Sequence, residues 1–147
     1  MTESSAEAIV KLVYTYAERI DAGDYEGVAQ LFAHADITVE GTDEVRRGVN
    51  EVRAMYEGWT RLYEDGTPRT KHVTTNPVID VDEDAGAATC RSYFTVFQQT
   101  GTLPLQAIIA GRYHDRFERV DGVWRFAHRH MISDLFGDLS QHLLQEL

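Results

Sequence analysis

Beyond Gly66-Thr67-Pro68 the chain is dominated by four runs: KHVTTNPVIDV, AGAATCRSYFTVFQQ, LPLQAIIAGRYHDRFERV and GVWRFAHRHMIS. They are rich in β-branched and aromatic residues and are separated by turn signals, which is the signature of consecutive strands. Asp121-Gly122 joins the last two. That dipeptide suits a two-residue hairpin turn, because both central residues must take positive φ. This half of the chain is therefore expected to form a mostly antiparallel sheet.

The first third has a different period. Ile9, Val13, Tyr16, Ala17 and Ile20 recur at three- and four-residue spacing, which gives a helix one apolar face. Gly23 supplies its stop. A second helix is expected from Asp24 to about His34, with Val28, Leu31 and Phe32 inward, then a short strand at DITVEG. GVNEVRAMYEGWTRLY predicts a third helix with a stripe of Val49, Val52, Met55, Tyr56 and Trp59, entered by a turn at Arg46-Arg47-Gly48. Helices first and a sheet afterwards make an α+β domain with the helices on one sheet face. The tail DLFGDLSQHLLQEL is expected to form a short helix that covers an opening or meets a neighbouring subunit.

The 147 residues suit one domain, 1–147, and contain no repeat or linker-like stretch. Twenty-four acidic against fourteen basic residues leave a net charge of −10. That field repels phosphate backbones and anionic membranes, so nucleic acid and membrane partners are not expected. A single cysteine, Cys90, and an N-terminus without a basic and apolar leader pattern point to a reducing, cytoplasmic setting. No Walker loop, dinucleotide fingerprint or G-x-S-x-G elbow is present, and no cofactor is expected. His128 and His130 stand two apart on a strand, on a face expected to carry Trp124 and Phe126 as well. No further ligand spacing completes a metal site. His114 and Asp115 are neighbours, hence on opposite faces of a regular strand, and are assigned to the sheet surface or a subunit contact.

Two aspartates in YAERIDAGDYEGVAQLF (16–32) differ in what explains them. Asp24 opens the second helix, where a carboxylate accepts free backbone N–H groups. Asp21 falls in the last turn of the first helix, where the helix dipole disfavours a negative charge by roughly 0.3–1 kcal/mol. A carboxylate placed against local preference is a flag for function.

The order helix, Asp-Ala-Gly-Asp, helix, strand, helix, His72 and a meander ending GRYHDRFERVDGVWRF resembles the SnoaL-like branch of the nuclear-transport-factor-2-like superfamily. That branch includes scytalone dehydratase, bile-acid 7α-dehydratase and the β subunits of ring-hydroxylating dioxygenases. The resemblance implies a cone, a curved sheet wrapped round about three helices and enclosing one mostly apolar pocket. It assigns a catalytic trio: His72 as base, Asp21 as the carboxylate that orients it, and Tyr16 as donor to a developing enolate oxygen. These types suit removal of a proton beside a carbonyl, which needs a near-neutral base, a fixed tautomer and an oxyanion donor. Other family positions do not match. A second histidine would fall on Phe97, a strand tyrosine near Glu40 and a further acidic residue near Thr95. A late arginine corresponds to Arg129.

By strand alternation and analogy, the pocket wall is expected from Trp59, Tyr63, Tyr93, Phe97 and Ile108, with Arg129 also at the ligand. Such a wall suits a small flat hydrophobic ligand of polyketide, steroid, terpenoid or aromatic type. The implied activity is a cofactor-independent dehydratase or isomerase. The alternative is a non-catalytic module, either a ligand carrier or a β-subunit-like partner of a ring-hydroxylating oxygenase. The family habit of pairing through the outer sheet face implies a homo-oligomer, with a trimer favoured over a dimer.

Overall fold

The computed structural model describes residues 2–147. Its elements are α1 (Ser5–Asp21), α2 (Tyr25–Leu31), β1 (Asp36–Val39), β2 (Val45–Arg47), α3 (Gly48–Trp59), β3 (Thr70–Asp82), β4 (Ala87–Gln98), β5 (Gln106–Val120) and β6 (Val123–Phe136). The six strands form one sheet in the order β2-β1-β6-β5-β4-β3. All pairs are antiparallel except β1–β6. The architecture is the expected α+β cone, with the helices held against the inner face of a curved sheet.

Local chemistry sets the boundaries. The Ser4 side chain accepts the Glu7 N–H at 3.1 Å and starts α1; Ser-x-x-Glu is a helix-start pattern. Asp121 and Gly122 take φ of 53° and 79°, so the β5–β6 hairpin closes on Val120 opposite Val123. Along β4 the inward residues Ala88, Cys90, Ser92, Phe94, Val96 and Gln98 alternate with outward ones. The core unites this face with Ile9, Val13 and Ile20 of α1, Val28 of α2 and Val52 of α3, each at most 1% exposed. Full burial of such a side chain contributes about 1.5–3 kcal/mol.

Four expectations are corrected. The tail is not a helix. Its first residues, Asp134 to Phe136, continue β6, and the rest folds as turns with one isolated bridge, Thr60 to Leu143. The third helix stops at Trp59 because Thr60 turns extended, with ψ of 123°, and pairs with that tail instead. Finally, Trp124 and Phe126 do not share a face with His128 and His130. A bulge inserts Ala127, so Phe117 faces Phe126 while Arg116 faces His128. One extra residue reverses the alternation, which turns Trp124, Phe126 and Arg129 inward and the two histidines outward. The segment before α3 also forms the short strand β2 rather than a turn alone.

Candidate functional site

The end of α1 is shaped by Gly23. Its φ is +73°, and a Cβ there would lie 2.0 Å from the Gly66 carbonyl oxygen. Only glycine meets both demands. The chain reverses and Asp24 caps α2 by accepting the Gly27 N–H at 2.8 Å. Asp21, the last residue of α1, is left facing the start of β3. That strand is the edge of the sheet, so one row of its backbone donors is unused by the ladder. Asp21 takes one of them. Its Oδ2 accepts the His72 backbone N–H at 2.8 Å, and its Oδ1 accepts the Thr70 hydroxyl at 2.8 Å and lies 2.7 Å from His72 Nδ1. Three hydrogen bonds offset the dipole penalty of a carboxylate at a helix C-terminus.

Carboxylate oxygens only accept, so His72 Nδ1 carries a proton, and in the neutral ring Nε2 presents its lone pair. Nε2 makes no hydrogen bond to the described residues, and the imidazole keeps 8% exposure. The Tyr16 ring meets the His72 ring edge-on at 6.2 Å between centroids. Its hydroxyl is 2.6 Å from that of Tyr56. Burial pushes both phenols above their ordinary range, which keeps them neutral donors.

Behind the tyrosines stands Arg129, fully buried. It donates through Nε and Nη2 to the Asp115 carboxylate at 2.8 and 3.0 Å and lies over the rings of Tyr113 and Tyr16 at 3.7 and 4.4 Å. Burial opposes its charge, but the Asp115 carboxylate overcomes that and holds the guanidinium protonated. Its Nη1 has no partner among the described residues. Asp115, expected at the sheet surface or a subunit contact, is instead this core counter-ion, 2% exposed.

The tail closes the end of the cone near Asp21. The Tyr63 hydroxyl donates to the Gln141 carbonyl, the Arg61 N–H to the His142 carbonyl at 2.9 Å, and the Leu144 N–H to the Trp59 carbonyl at 2.9 Å. Gln98, directly across the ladder from Thr70, donates its amide to the carbonyls of Pro68 and Gln141, each at 3.1 Å. His142 is 8% exposed. Burial, reinforced by His72 and opposed by Asp21, lowers its imidazole from 6.5 to about 4.

Of the expected site residues, Asp21, His72 and Tyr16 come together, and Trp59 and Tyr63 sit at the tail-covered end. Ile108 is a fully buried core residue and Arg129 is committed to an ion pair. Tyr93 is 54% exposed. It stands on the outer face with Phe97, because both have the opposite alternation phase to Phe94 and Val96. Thr70, Gln98 and His142 escaped the sequence reading, and Tyr56 entered it only as part of the apolar stripe of the third helix. Thr70 was within reach of it, two residues before His72 and so on the same strand face. His142 carried no local signal, because nothing in the tail indicates where it docks.

The outer face carries a hollow of about 290 Å³ lined by Arg91, His114, Arg116, His128 and His130 among others. His128 pairs through Nδ1 with Asp36 at 2.6 Å and His130 through Nε2 with Glu40 at 2.6 Å. Thr38 bonds the remaining ring nitrogen of each, at 3.2 and 2.7 Å. Among the described residues no helix is long and apolar enough to cross a membrane.

The SnoaL-like domain family matches residues 3–130. No curated protein matches the chain. Rv3472, a Mycobacterium tuberculosis protein of unknown function, is similar in structure with a TM-score of 0.69 and 29% identity, over 86% of this chain and 70% of that one. An NTF2-like protein with a cystatin-like fold from Novosphingobium aromaticivorans superposes with a TM-score of 0.72 at 20% identity, over 92% and 85% of the two chains. A candidate scytalone dehydratase from the same organism gives 0.71 at 23% identity, over 90% and 86%.

Proposed function

The chain belongs to the SnoaL-like domain family, and from that premise we propose that it is a cofactor-independent lyase or isomerase acting on a small hydrophobic carbonyl or hydroxy compound. One observation carries the reading: a histidine whose Nδ1 is held by a carboxylate at 2.7 Å while its Nε2 is free. A base needs that free nitrogen, and the carboxylate both selects the tautomer and stabilises the imidazolium that forms.

In this reading His72 Nε2 takes a proton from the carbon beside a carbonyl, and the C–H electron pair moves to the carbonyl oxygen as an enolate. The hydroxyl pair of Tyr16 and Tyr56 has more than one O–H for the single bond between them, which leaves a donor for that oxygen. The imidazolium then returns its proton. Delivered to another carbon, it completes an isomerisation. Delivered to a β-hydroxyl, it releases water as the C–O bond breaks and the enolate collapses to an unsaturated carbonyl. A positioned base of this kind contributes about 10²–10⁴-fold.

The test needs no natural substrate. 2-Tetralone, a flat ketone with acidic α-protons, is followed by NMR as it exchanges them in D2O. Exchange should be accelerated by the wild type and strongly reduced in His72→Gln and Asp21→Asn. A downfield His72 Nδ1–H resonance should vanish in Asp21→Asn. Wild-type exchange no faster than with an equal concentration of free imidazole would sink the proposal. Binding of 2-tetralone without exchange would point to a carrier.

A further inference from the structure

At the tail end of the cone Gln98 Oε1 and His142 Nδ1 are buried without a partner among the described residues, as is Arg61 Nε. Gln98 and His142 are 1% and 8% exposed. Leaving such a group unpaired costs about 1–3 kcal/mol, so orphans gathered at one end of the cone call for an occupant. The orientation of the Gln98 amide is set by its surroundings. Its nitrogen faces two carbonyl oxygens, of Pro68 and Gln141, at 3.1 Å each, so the orphan is the oxygen. His142 begins at the peptide whose carbonyl that same amide holds. The two side chains therefore belong to one junction between strand and tail.

That junction adjoins the His72–Asp21 pair. Gln98 lies opposite Thr70 in the ladder, and the Thr70 hydroxyl is bonded to Asp21. His72 lowers the affinity of His142 for a proton and Asp21 raises it, the mark of groups that sense one another's charge. Tethers at Arg61, Tyr63 and Leu144 hold the tail in place.

We propose that Gln98 Oε1 and His142 Nδ1 form a hydroxyl-binding subsite, in which one ligand hydroxyl donates to the amide oxygen and accepts from the imidazole N–H. The inference rests on the proton-transfer reading for the location of the ligand and deepens it by naming the functional group the ligand carries. An ether or a carbonyl oxygen cannot serve, because it has no proton for the amide oxygen. Burial lowers the His142 imidazole to about 4, so it stays an uncharged donor near neutrality.

The experiment compares 2-naphthol with naphthalene, two flat ligands that differ by one hydroxyl, by calorimetric titration. Wild-type protein should prefer the naphthol by about tenfold or more, the scale of one buried group left unpaired. His142→Phe should erase most of that preference, and His142→Gln, which retains a donor and an acceptor, should restore part of it. Circular dichroism checks folding, and Gln98→Met repeats the test if His142→Phe does not fold. An unchanged preference in a folded variant overturns the subsite. So does a wild type that binds neither ligand or both equally, since water alone then fills the junction. A His142-dependent preference in a protein that exchanges no tetralone protons would sink the proton-transfer reading and keep the subsite.

Discussion

The molecule holds two histidines paired through Nδ1 with an aspartate at nearly the same distance. His72 meets Asp21 at 2.7 Å at the end of the cone, and His128 meets Asp36 at 2.6 Å on the outer sheet face. Pair geometry does not separate them; the far nitrogen does. His128 Nε2 is taken by Thr38, and His130 has both nitrogens engaged by Thr38 and Glu40. His72 Nε2 is free. The outer pair is also wetter, with side chains 18% and 34% exposed against 8% and 10%, and ion pairs in water contribute only about 0–1 kcal/mol. A His–Asp contact is thus poor evidence of chemistry until the second nitrogen and its surroundings are known.

The sharpest way to break the comparison is at His72 itself. His72→Gln should lower tetralone exchange by about 10²-fold or more, as expected when a general base is removed. Next in size is a pH effect on the tail. His142 is held neutral, with its imidazole lowered from 6.5 to about 4, so below pH 6.5 the unfolded or undocked chain binds more protons than the docked one. Docking is therefore at full strength above about pH 6.5 and weakens towards pH 4, by up to about 3 kcal/mol. Hydrogen exchange at the Arg61 and Leu144 amides should report this loss of protection, and His142→Phe should remove it.

Asp21→Asn should cost about ten- to hundredfold in exchange, since hydrogen bonds to charged groups are worth about 1.5–3 kcal/mol. Tyr16→Phe removes one hydroxyl of a pair, and a loss of about fivefold in exchange rate is expected. His128→Gln should leave exchange within about twofold and change stability by less than about 1 kcal/mol in denaturant titration. A large loss of exchange in that last variant would erase the distinction between the two pairs.

Much of this was legible in the residues. The shift from helical to alternating period marked the α+β order, Asp121-Gly122 marked the hairpin, and Asp24 and Gly23 marked the break between α1 and α2. Asp21 stood out because it violated a local preference, and the observed contacts explain the violation. Tyr93 and Phe97 were misassigned because alternation gives two faces without saying which is inner. The register of β4 against the helices decides that, and it turns Phe94 and Val96 inward. Trp124 and Phe126 were grouped with the histidines because a bulge at Ala127 leaves no signature in composition.

By itself, then, the sequence determined the element order, the turns and the presence of a carboxylate poorly served by its own helix. These follow from interactions a few residues long. Only the tertiary structure decided that Asp21 spends three hydrogen bonds on the edge of β3, that Arg129, expected at the ligand, is buried in an ion pair with Asp115, and that the tail seats His142 beside the site. Those outcomes depend on which unpaired donors and acceptors meet across the fold. No local propensity encodes the meeting of Asp21 with His72, 51 residues apart, or of Gln98 with Gln141, 43 apart.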